Sequence, residues 1–220
     1  MPLAESLDVI DSEGRRILEL ARRDPARSVP QYPGWTMADL LAHTGSILAR
    51  TTQICLQHPT ERISAPRLPE GEDVVEWFES TLAEMISTLE KSDLDVPVWG
   101  FIAGSTIRFW LRRMLVETGV HRWDAGQAHG DPAPLLEVVA VSGLDEYDGM
   151  WLPHLGEVPA LEVNATDLGK TWIYASGQPQ VRVDGTASDI YLRLMSRPSS
   201  VRLPVAWETA VDNLAPPPKP

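Results

Sequence analysis

The chain has 220 residues, enough for one large domain or a medium domain plus a small one, and its 43% hydrophobic and 23% charged residues suit a globular protein with a real core. A net charge of -12 and a pI near 4.8 argue against nucleic acid or an anionic membrane as partner, since both need a Lys/Arg surface. No apolar run approaches transmembrane length, the start has neither a basic n-region nor an apolar h-region, and the single cysteine, Cys55, cannot form an internal disulfide, so a cytoplasmic protein is expected.

Apolar residues at Leu7, Ile10, Ile17, Leu18 and Ala21 keep helical spacing and predict a helix over about 4–23. Pro25, Pro30, Pro33 and Gly34 then force a loop. Thr36 followed by Asp39 is a capping-box signature that opens a second helix over about 37–57. Its inward face carries Leu40, Thr44, Ile47, Leu48, Thr51, Ile54 and Cys55, with His43 at the edge of that stripe. A Pro-containing loop leads to a third amphipathic helix over about 72–90, marked by Phe78, Leu82, Met85 and Leu89.

The fourth stretch, 105–127, is the one around which the chain is organised. At about 100° per residue, Arg108, Arg112 and Arg122 fall in one narrow strip expected to face water, and Glu117 points almost diametrically away. Ile107, Trp110, Met114, Thr118 and Ala125 share the inward side, with His121 between them and Glu117. An inward carboxylate is costly without a partner. Two partners are available: Arg113, four residues earlier, in an ordinary helical ion pair, or a metal ion shared with His121.

Beyond Gly130, Asp131 and Pro132 the pattern changes. A helix is expected over 135–151, short strands over 161–164, 171–174 and 180–183 in a hairpin or small sheet, and a capped helix over 186–195. The expected class is α+β: a four-helix bundle over 1–134, a small α+β module over 135–212, and a Pro-rich, disordered tail over 213–220.

Several chemistries are absent. There is no Gly-x-Ser-x-Gly elbow, no Gly-x-Gly-x-x-Gly fingerprint and no Cys-x-x-Cys, and Asn164 stands where a phosphate-cradling loop ending in Gly169-Lys170-Thr171 would need glycine. His58, His129 and His154 fall at helix ends or in a loop and read as solvated or structural; Trp35, Trp99 and Trp123 could rim a pocket. His43, Glu117 and His121 remain. Two ligands from one helix and one from another make a two-histidine, one-carboxylate set with an open coordination position, provided the helices face each other.

Pro33-Gly34-Trp35-Thr36, then Asp39-Leu40-Leu41-Ala42-His43, and later Glu117 with His121-Arg122-Trp123-Asp124-Ala125, closely resemble the paired signatures of the mycothiol-dependent maleylpyruvate isomerase family, which belongs to the DinB-like metal-binding four-helix bundles. Residues 183–189 through Ser196-Arg197 resemble that family's C-terminal module. The resemblance implies Zn²⁺, or another divalent metal, held by His43, Glu117 and His121, a functional Asp124 near the metal, and a substrate-binding or catalytic Arg197. It also implies mycothiol as thiol cofactor or cosubstrate, a small electrophilic substrate, and isomerase or thiol S-transferase activity. The alternative from another class is a non-catalytic, metal-dependent sensor or small-molecule carrier using the same pocket.

Overall fold

A computed structural model describes residues 2–179, 181–214 and 217–220. Gln180, at the start of the third predicted strand, and residues 215 and 216 of the predicted tail lie outside the described residues. The described residues form seven α-helices and a three-stranded sheet: α1 Leu3–Arg23, α2 Met37–Gln57, α3 Val74–Lys91, α4 Ile107–Ala128, α5 Glu137–Met150, β1 Leu161–Ala165, β2 Lys170–Tyr174, β3 Val181–Gly185, α6 Ala187–Leu194 and α7 Val205–Asp212. They divide into two compact units, Met1–Ala133 with Pro218–Pro220, and Pro134–Pro217. The expected class, a helical bundle followed by a small α+β module, is the one observed.

In the first unit α1 packs on α3 and α4, and α2 on α3 and α4. The core is Ile10, Ile17, Leu40, Leu48, Phe78, Met85, Trp110 and Met114, all fully buried. Gly45 allows α2 to lie close to α3: a Cβ there would sit 2.5 Å from the Trp77 ring. The capping box holds as expected, with Thr36 Oγ1 accepting from the Asp39 amide and Asp39 accepting from the Thr36 amide at 2.8 Å.

The loops entering α2 and α4 repeat one device. Each turns at a glycine of positive φ, Gly34 or Gly104, two residues before a threonine, and each threonine bridges back to a residue earlier in its loop, Thr36 to Ser28 and Thr106 to Pro97. Val29 N–H donates to Trp35 O and Val98 N–H to Ser105 O. The bundle is thus two helix–loop–helix pairs whose loops position the N-termini of the helices that carry the candidate ligands.

The strip of arginines on α4 does not all face water. Arg108 does, pairing with Asp95 at 2.8 Å, but Arg122 is 6% exposed and donates through Nε to Glu13 of α1 at 2.8 Å. The reason is that α4 is enclosed on every side from Arg113 to Gly126, so its C-terminal half has no solvent face for Arg122 to occupy. Arg122→Met strands the Glu13 carboxylate, and is expected to cost about 3–5 kcal/mol in urea unfolding; the Glu13→Gln/Arg122→Met double variant should recover much of that. A single variant as stable as wild type would show that this pair is not a buried charge pair in solution.

In the second unit β1 is central. It pairs antiparallel with β2, the predicted hairpin, and parallel with β3 on its other edge. Leu161, Val163 and Ala165 alternate inward, and α6 begins at Thr186, whose hydroxyl accepts from the Asp189 amide at 3.0 Å. Helix α7 was not predicted; Trp207 anchors it, fully buried with its indole N–H donated to Pro159 O at 2.8 Å. From the Pro-rich tail, Lys219 donates to Gly34 O at 3.0 Å within the first unit.

Candidate metal centre

Helix α4 places Glu117 and His121 one turn apart on one face, and α2 presents His43 opposite them. His121 Nε2 lies 2.9 Å from Glu117 Oε1, and His43 Nε2 lies 3.8 Å from the same oxygen. The three donor atoms are all within 4.8 Å of one another. Two donors about 2 Å from one tetrahedral ion stand about 3.3 Å apart, so both histidine–Glu117 separations lie within about half an ångström of that spacing and the three donors are close enough to converge on one divalent ion. The two imidazoles meet edge to face with centroids 5.3 Å apart.

Of the two partners foreseen for Glu117, the Arg113 ion pair is present, and the carboxylate's other oxygen faces the two histidines that would share a metal ion with it. Arg113 Nη2 donates to Oε2 at 2.6 Å, while Oε1 faces the two histidines. The ion pair and the metal-type cluster use different oxygens of one carboxylate, so neither displaces the other. Asp124, fully buried, stands behind the cluster with Oδ2 3.0 Å from His121 Nδ1. It holds the ring so that Nε2 points at Glu117 and His43, the usual arrangement of an outer carboxylate on a ligating histidine.

Tyr32 was not singled out in the sequence. Its hydroxyl donates to Asp124 Oδ2 at 3.4 Å, its ring stacks on Trp35 at 4.6 Å, and Trp35 packs 5.1 Å from His43. The loop ahead of α2 therefore borders both histidines, Trp35 packing on His43 and the Tyr32 ring lying 6.0 Å from that of His121. The available signal was position alone, since Tyr32 directly precedes the Pro-Gly-Trp-Thr run. Trp99 is used differently: its carbonyl accepts from the Trp110 indole at 2.7 Å. Arg197 lies in the second unit, 6% exposed, with Nη1 donating to Met195 O at 2.8 Å. Cys55 is buried in α2, and burial pushes its thiol up to about 11.

The electrostatics polarise the two histidines in opposite directions. Burial and the charge of His121 push His43 down to about 4, leaving it neutral and ready to donate a lone pair. Burial also opposes charging His121, but Glu117 and Asp124 outweigh it and raise it to about 9. Burial likewise opposes ionising Glu117, yet His121 and Arg113 hold it well below the usual range. In the metal-free protein a proton on His121 does the work of a cation. The stabilisation it brings is complete below the unfolded value of 6.5 and is lost as pH rises towards about 9. A metal at Nε2 must displace that proton, so uptake near pH 7 should release about one proton and affinity should climb with pH up to about 9. Calorimetry in two buffers of different ionisation enthalpy measures this; no proton release at pH 7 would mean His121 is not a ligand.

Among known proteins, the family profile of the mycothiol maleylpyruvate isomerase N-terminal domain matches residues 7–126. A crystal structure of the mycothiol-dependent maleylpyruvate isomerase is similar at 16% identity, covering 91% of this chain and 92% of that one with a TM-score of 0.69. A histidine-to-alanine mutant of the mycothiol-dependent maleylpyruvate isomerase is similar at 17% identity, 87% and 88% coverage and a TM-score of 0.66. No curated protein sequence shows significant similarity. At these identities the structural likeness establishes the fold, while the profile covers more than half of the residues and includes His43, Glu117, His121 and Asp124. The chain belongs to the family defined by the mycothiol maleylpyruvate isomerase N-terminal domain.

Proposed function

We propose that this protein is a zinc-dependent enzyme that uses a low-molecular-weight thiol, mycothiol, to isomerise or S-conjugate a small electrophile. The observation that carries the reading is the convergence of His43, Glu117 and His121 from two helices, in a chain of this family. Bound Zn²⁺ supplies positive charge that keeps a thiol, ordinarily near pKa 8.5, as nucleophilic thiolate at neutral pH. His43, neutral at pH 7, and Glu117, ionised, offer donors without prior proton loss. Asp124 orients His121, and Arg113 restrains the other Glu117 oxygen.

When bound there, the thiol would supply a nucleophile for an activated carbon–carbon double bond, allowing either geometric isomerisation with the thiol released again or, with a proton taken up from solvent, formation of the S-conjugate. For Arg197 a substrate role rests on the resemblance of the C-terminal module. Metal analysis of protein purified without added metal, followed by a screen of electrophiles with mycothiol, tests the proposal; metal-free protein with undiminished activity would overturn it.

Asp124→Asn keeps the shape of the side chain and removes its charge. It should retain most of the zinc, at a cost of about 10–100-fold in metal affinity or turnover, as expected of an outer partner. Unchanged metal affinity and turnover would reduce Asp124 to a structural acid.

A further inference from the structure

Arg50 is a buried cation for which the proposed chemistry has no use. It is 9% exposed, and among the described residues it has no hydrogen-bond or ion-pair partner. Its guanidinium carbon lies 5.4 Å from the centroid of Trp110, 5.6 Å from Phe101 and 5.8 Å from Trp99. Ring faces attract a cation but accept none of the five N–H groups that a guanidinium directs into its own plane. A buried polar group left that way costs free energy, and Nε in particular is sealed from water without an acceptor.

The surroundings do not neutralise Arg50. Glu117 attracts it, while Arg62 and Arg113 repel it. Glu117 is already committed to Arg113 and His121. Arg50 follows His43 by seven residues on α2, two turns and about 10 Å along the same helical face, and its charge is felt at His43. Phe101, one wall of the aromatic enclosure, is 45% exposed, so the enclosure reaches solvent there.

We infer that Arg50 is an anion-binding residue of this site and that the small electrophile it serves carries a carboxylate, received in the plane of the guanidinium while Trp99, Phe101 and Trp110 contact its ring-facing sides. The inference rests on the proposed function for the identity of the ligand as substrate. A planar carboxylate satisfies two guanidinium N–H groups at once and supplies the missing counter-charge. The thiol, a largely uncharged sugar conjugate, has no such group to offer.

The test uses succinate and its uncharged analogue succinamide as probes, titrated calorimetrically into the metal-loaded protein and into chelator-treated protein. Wild type should bind succinate at least about tenfold more tightly than succinamide, with or without metal. Arg50→Met should abolish that preference, and Arg50→Lys, which keeps the charge but loses the planar fork, should retain only part of it. Equal binding of the two probes by wild type, or an undiminished preference in Arg50→Met, would overturn the inference. If Arg50→Met does not fold, the wild-type comparison and Arg50→Lys decide. Succinate binding that vanishes on chelation would place the carboxylate on the metal and also overturn it. A preference that survives chelation, in a protein with no thiol-dependent turnover, would uphold Arg50 as an anion site while the catalytic reading falls.

Discussion

His121→Ala is expected to abolish stoichiometric metal binding and, with it, turnover. His121 is the nearer of the two candidate histidine ligands to Glu117, at 2.9 Å, and it is itself held by Asp124 at 3.0 Å. Removing it leaves two protein donors on two helices, and the loss should exceed the 10–100-fold typical of an outer partner. The substitution also opens a cavity and takes from buried Asp124 the ring it faces, so the variant needs a folding control. Glu117→Gln supplies one, since it keeps the volume while removing the charge that attracts both histidines and Arg113. Both variants, assayed by elemental analysis beside circular dichroism, should be folded and metal-poor. Stoichiometric zinc in a folded His121→Ala protein would remove His121 from the ligand set.

Omitting the thiol should take turnover to background, whereas Cys55→Ser should change it by less than about twofold. The two expectations share a cause. With its thiol pushed up to about 11, Cys55 is ~10⁻⁴ thiolate at pH 7, and it lies about 18 Å along α2 from His43. A three-ligand zinc site retains an open position, so the sulfur that fills it must come from outside the chain. Rates with and without mycothiol, for wild type and Cys55→Ser on one electrophile, measure both. Full activity without thiol would eliminate the mechanism. Tight metal and thiol binding with no turnover on any electrophile would favour the carrier.

The four bundle helices were legible because each carries its own periodicity and α2 opens on a Thr cap; the observed bounds lie within two residues of the predicted ones. The proximity of Glu117 and His121 was legible for the same reason, since residues four apart on a helix are neighbours whatever surrounds them. Helix α7 was missed because its eight residues are too few to show a period, and its place is set by one tryptophan packing into the second unit.

Other features depend on which helix lies against which. Helical periodicity ranks faces by polarity, and so it sent Arg122 to water; the packing of α1 on α4 instead gave it Glu13, 109 residues away, as a buried partner. Arg50 has no local signature for a related reason: its aromatic enclosure comes from Trp99, Phe101 and Trp110, on a loop and helix distant in sequence. The place of Tyr32 beside the cluster depends on the loop ahead of α2 reaching Asp124. The sequence by itself determined the helices, the pair of donors within α4 and the family signature, because these depend on interactions a few residues apart. The tertiary structure alone decided that His43 meets that pair and that Arg122 is buried, because burial and cross-helix distances are properties of packed neighbours rather than of any one helix.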